Sequence, residues 1–158
     1  MLLAGAALAL AIAAVGPASH EVVRHLIQAS PAVLACAIGL WRPGLLRWAL
    51  APIFLFWLLI AVLIWLSLAH IARVVTGTFS PAEIALTVAM AAAALFGLAQ
   101  FPRRRRRTPV WLGLGVFLLA LAIQVGAFAI SIQPWVAHAD GHAVSRAAPG
   151  PRGAHELA

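Results

Sequence analysis

The chain has 158 residues, of which 64% are hydrophobic and 9% charged, and its net charge is +7. Soluble domains average about 25% charged residues, so this composition excludes a water-exposed globule and requires an outer surface solvated by lipid. All eleven basic residues are Arg, and five form one run, Arg103 to Arg107, between two apolar segments. That pattern fits topology control and anionic-lipid contact. A nucleic-acid face needs charge spread along a surface and interleaved with accessible aromatics, so no nucleic-acid partner is expected.

Abundant Ala, Gly, Pro and Arg without any Lys or Tyr points to a GC-rich genome, and a bacterial inner membrane is the expected location. The single cysteine, Cys36, excludes an intrachain disulfide and reads as a small buried hydrophobe.

In chain order, residues 1–18 are apolar and uncharged. At about 1.5 Å per residue they reach about 27 Å, barely a span. The segment has no basic stretch ahead of it, which favours an uncleaved transmembrane helix over a signal peptide. The next helix is expected at 19–41 with Ser19 as its N-cap. His20, Glu21, Arg24, His25 and Gln28 share one face of it, with Val22, Val23, Leu26 and Ile27 opposite. Pro31 removes one backbone hydrogen bond from its interior.

Trp41-Arg42-Pro43-Gly44 reads as a turn, with Arg47 and Trp48 at the interface beyond it. A third helix follows over 49–72, closed by His70 and Arg73; it has no charge between Leu50 and Ala69. Ser80-Pro81-Ala82-Glu83 is a helix start with a cap, a proline at the first position and a glutamate three residues after the cap. That fourth helix is expected at 81–101. Ala85, Ala89, Ala93 and Gly97 fall on it at spacing four, a small-residue ridge suited to close helix approach. The basic loop leads to a fifth helix over 109–132, and residues 134–158 read as a disordered polar tail. The expected fold is therefore an all-α membrane bundle over 1–133, with five transmembrane helices, or four if the first segment is a cleaved signal. Ser30-Pro31-Ala32 and Ser80-Pro81-Ala82 form an internal echo, the mark of a candidate duplicated hairpin.

Short Arg-rich loops stay in the cytoplasm. Placing the run there puts the 41–48 turn on the same side by alternation. Arg42 and Arg47 bring the total on that side to seven Arg, against Arg24 and Arg73 near the opposite connections. The N-terminus is then cytoplasmic and the C-terminus extracytoplasmic. Anionic lipid headgroups are the expected contacts of Arg42, Arg47, Arg103, Arg104, Arg105, Arg106 and Arg107.

Alternation gathers His20, Glu21, Arg24, His25, Gln28, His70, Arg73 and Glu83 at the outer side. Ionisable groups at membrane depth pair with one another or mark a function. Interfacial pairing is the plain reading of the cluster. Three sharper ones are a haem or metal site on His25 and His70, a proton route through Glu21, His25 and Gln28, and a docking surface for another subunit. In the tail, His138, Asp140 and His142 alternate as a weak metal-ligand set without a fourth ligand. No nucleophile, zinc-protease, phosphate-loop or paired-carboxylate motif occurs. The functional expectation is a small multi-pass plasma-membrane protein acting as a non-enzymatic accessory or scaffolding subunit. A haem- or quinone-associated redox subunit is the alternative, and a small ion or proton transporter the third. No cofactor is assigned.

Overall fold

A computed structural model describes residues 1–71, 79–101 and 108–136. It is all-helical: α1 Leu2–Ser19, α2 Val22–Trp41, α3 Leu46–Leu68, α4 Pro81–Ala99 and α5 Val110–Ser131. All five are long and apolar enough to cross a membrane. The fold is an integral membrane bundle.

Several boundaries differ from the sequence expectation: the α1–α2 junction, for a local reason, both ends of α3, the end of α4, at Ala99, and each end of α5 by one residue. Ser19 does not cap α2. It is the last residue of α1, and its hydroxyl donates back to the carbonyls of Val15 (3.0 Å) and Gly16 (3.4 Å). Pro17 lies inside α1 without ending it. The helix stops where His20 turns left-handed at φ 59°, and α2 starts at Val22 behind Glu21, which makes no side-chain cap. The third helix begins at Leu46, so Arg47 and Trp48 lie in its first turn, and it ends at Leu68.

Pro31 sits within α2, where it leaves the carbonyl of Ile27 without its helical donor. The Ser30 hydroxyl supplies one, donating to Ile27 O at 2.8 Å. Ser80-Pro81 instead opens α4. The two Ser-Pro-Ala triplets therefore play different structural parts, and the echo is one of sequence alone.

Packing runs in a ring: α1 lies against α2 and α4, α4 against α3, α3 against α5, and α5 against α2, with α2 and α3 also touching across the ring. Helix α3 is the most enclosed of the five and α5 the least. Leu8 and Ile12 of α1 with Leu50, Ile53 and Phe54 of α3 form the fully buried core. Large apolar side chains such as Leu3, Leu10, Leu59 and Leu118 point outward, as lipid contact allows.

Lipid is as apolar as the core, so close packing rather than exclusion from water holds such helices together. Glycines facing bulky side chains make that packing possible. Gly97 of α4 lies under the Phe54 ring, Gly113 of α5 under the Trp48 indole, and Gly5 of α1 beside Leu50 and Cys36. Gly16 brings α1 against α2, where an added Cβ would lie 2.9 Å from Val22 Cα.

The bundle has two distinct ends. At one, the Met1 amine donates to Gln100 Oε1, Thr108 Oγ1 donates to Gly44 O at 3.1 Å, and Trp48 stacks edge-on with Phe101 at 5.6 Å. At the other lie His20, Glu21, Ser131 and the start of α4. Helices α1, α3 and α5 thus run one way and α2 and α4 return.

Gly97→Leu is expected to force Phe54 out of place and to destabilise the bundle by about 1–3 kcal/mol. Nothing lies within 4 Å of a Cβ added at Gly115. Gly115→Ala should therefore leave stability unchanged or raise it by up to about 1 kcal/mol. Thermal unfolding in one detergent checks both.

Candidate functional site: a polar network at one end of the bundle

Helix α2 turns its polar face inward. Val22 and Leu26 are exposed on the outside, whereas Glu21, Arg24 and His25 are half-buried and Gln28 is buried. This inverts the arrangement of a soluble amphipathic helix, because the solvent here is hydrocarbon. Arg24 Nη1 bonds Glu21 Oε2 at 2.8 Å, one turn apart. Both side chains remain partly exposed, so the pair contributes only about 0–1 kcal/mol. His25 Nδ1 lies 2.8 Å from the Glu21 carbonyl oxygen.

Deeper in, Gln28 Nε2 donates to Ser131 Oγ at 2.8 Å, and Ser131 donates in turn to Phe128 O at 2.7 Å. This bond joins α2 to α5. Ser131 is nearly fully buried and does not stand out in the sequence as a polar contact. The signal that finds it is its spacing from Gln124, two turns earlier on the same face of α5. Gln124 is completely enclosed, and neither its amide nitrogen nor its oxygen has a partner among the described residues.

The two exposed histidines take a structural part. His20 and His70 have φ of 59° and 58°, the left-handed region. At each, the next residue donates to the carbonyl five positions back: Glu21 N to Gly16 O at 2.9 Å and Ile71 N to Leu66 O at 3.0 Å. These are the hydrogen bonds of helix C-terminal motifs that glycine usually closes, and His is enriched among the non-glycine residues that adopt this conformation.

Glu83 is likewise spent locally. Ser80 N donates to Glu83 Oε2 at 2.7 Å and Glu83 N to Ser80 Oγ at 3.3 Å, a complete capping box. The carboxylate also lies within electrostatic reach of His25. The structure thus brings Glu21, Arg24, His25, Gln28 and Glu83 to one end of the bundle, and leaves His20 and His70 exposed at helix ends there. Arg73 lies outside the described residues, as do Arg103, Arg104, Arg105, Arg106, Arg107, His138, Asp140 and His142. Among the described residues no three His, Cys, Asp or Glu side chains form a metal-binding group.

On α4 the buried line is Thr87, Met90, Ala94 and Gly97. Of the small-residue ridge, Gly97 is buried and Ala93 packs on the core, whereas Ala85 and Ala89 face outward. At the opposite end Trp41 and Trp111 are almost fully exposed, and the Arg47 guanidinium sits over the rings of Trp48 (5.4 Å) and Phe101 (5.8 Å). Arg42 is exposed beside them. Val136, at the head of the expected tail, is fully buried; residues 137–158 lie outside the described residues. Comparison with protein-family models, curated proteins and solved structures finds no match to this chain.

His70→Gly is expected to keep or slightly raise stability, since it relieves a left-handed conformation, whereas His70→Val should lower it by about 1–2 kcal/mol. Ser80→Ala should cost about 1 kcal/mol through loss of the cap. Chemical unfolding in mixed micelles reads each difference.

Proposed function

We propose that this chain is a non-enzymatic accessory or scaffolding subunit of a bacterial inner membrane, with the N-terminus cytoplasmic and the C-terminus outside. The observation that carries the reading is how the polar groups are used. Glu21 with Arg24, Gln28 with Ser131 and Ser80 with Glu83 are engaged in holding helices and helix ends. They are arranged for architecture, with no carboxylate pair poised for proton transfer among them.

The partner-facing surface in this reading is the outward side of α4. Ala85 and Ala89 are exposed there, so a neighbouring helix can approach its backbone closely. Orientation rests on the arginines. Arg42, Arg47 and the run 103–107 share one end by alternation, and exposed Trp41 and Trp111 mark its headgroup level. Anionic headgroups at the cytoplasmic face are the lipid partners of that end.

The Ala85→Leu/Ala89→Leu double variant tests the partner surface. It should unfold at the same temperature as the unsubstituted chain yet lose the proteins that co-purify from native membranes; retention of the same proteins would overturn the assignment. A reporter active only in the cytoplasm, fused after Ala158, is expected to be silent. Activity would reverse the orientation.

A further inference from the structure

Charge is segregated along the bundle. The side-chain carboxylates of the described residues are Glu21 and Glu83, both at the end where α2 and α4 begin. Arg42 stands at the opposite end, exposed, as the C-cap of α2. Its backbone N bonds to Ile38 O at 2.8 Å, so the chain is still on its helical path there. Arg42 therefore lies one turn beyond Ile38 and two turns beyond Ala35, on their face of α2, and Trp41 lies two turns beyond Leu34. Leu34, Ala35 and Ile38 form one wall of an apolar groove open to the bilayer, with Val116 and Leu119 of α5 on the other. The turn after Arg42 is held against the start of α5, where Thr108 Oγ1 donates to Gly44 O at 3.1 Å. Trp41 and Trp111 are 88% and 84% exposed at this end, as suits aromatic anchors at headgroup level.

We propose that this end of the bundle binds one anionic phospholipid, its phosphate paired with Arg42 and one acyl chain lying between α2 and α5. The apolar lining alone accepts the tail of any lipid. The cation that continues the same helix face selects the head. A charged head followed by an apolar tail matches Arg42, Ile38, Ala35 in the order in which they occur along α2. A neutral lipid leaves the guanidinium without an anion, and a soluble anion leaves the groove unused. The inference rests on the lipid contacts proposed above for this end and narrows them to one defined site. It is independent of the accessory-subunit role and of the α4 surface.

The test reconstitutes the full chain in phosphatidylcholine nanodiscs doped with a photoactivatable lipid. The probe is phosphatidylglycerol or phosphatidylcholine carrying the same diazirine acyl chain, and mass spectrometry maps the cross-linked peptides. Phosphatidylglycerol is expected to label residues 31–38 and 116–123 about fivefold or more above phosphatidylcholine. Arg42→Gln, a change at an exposed position, should unfold at the same temperature and lose that preference. Diffuse attraction to a surface of seven Arg would survive the loss of one. Ala120→Phe, which narrows the groove, should reduce labelling there by both lipids; if it does not fold, the Arg42 comparison decides alone. Equal labelling by the two lipids, or a preference intact in Arg42→Gln, would overturn the proposal. So would loss of the preference on adding glycerol phosphate at matched ionic strength, the mark of a site for a free anion. Phosphatidylglycerol labelling spread evenly over all five helices would also overturn it, while leaving the general headgroup contact standing.

Discussion

Hydrocarbon offers no hydrogen bonds, and that constraint governs where this chain puts its few polar groups. Each one at depth has to find its partner inside the protein. Helix α2 meets the requirement by rotating its polar face inward, where Gln28 reaches Ser131 and ties α2 to α5. Ser30 does the same on a smaller scale by supplying the donor that Pro31 withholds from Ile27. At the helix ends, Ser80 and Glu83 satisfy each other's backbone groups, and His20 and His70 close their helices in the left-handed conformation. Some groups stay unmet among the described residues: the Gln124 amide at both its atoms, and the indole nitrogens of Trp48 and Trp57.

The second organising element is the pairing of glycine with aromatic side chains across helices. Phe54 and Trp48, both on α3, project into spaces left by Gly97 on α4 and Gly113 on α5. The enclosed helix therefore carries the bulk and its neighbours carry the recesses. This division makes α3 the hub of the ring. It also explains why α4 and α5, seated on separate flanks of α3, do not need to meet.

Much of the architecture was legible in the sequence because it depends on short-range signals. Apolar run lengths gave all five helices, and Ser80-Pro81-Ala82-Glu83 gave the start of α4 to the residue. The polar face of α2 followed from its spacing. The start of α2 was misplaced because Ser19 has two local choices, to cap forward or to bond backward, and its hydroxyl takes the second, donating to Val15 O and Gly16 O. That His20 and His70 close their helices in the left-handed conformation is visible only in the backbone dihedrals, since residue type does not announce it. The four-residue ridge on α4 marked the right helix, but the buried line is Thr87, Met90, Ala94 and Gly97. Rotation about a helix axis is set by tertiary contacts that Ala-rich sequence does not encode. Ser131 was missed because a single serine carries no pattern of its own.

The Gln28–Ser131 bond has a consequence for biogenesis. Its two partners belong to the second and the last of the five helices, so the amide of Gln28 enters the membrane long before its acceptor has been synthesised. Without α5 the Gln28 amide lacks its Ser131 acceptor, so the inward burial of the α2 polar face is complete only when the fifth helix is in place.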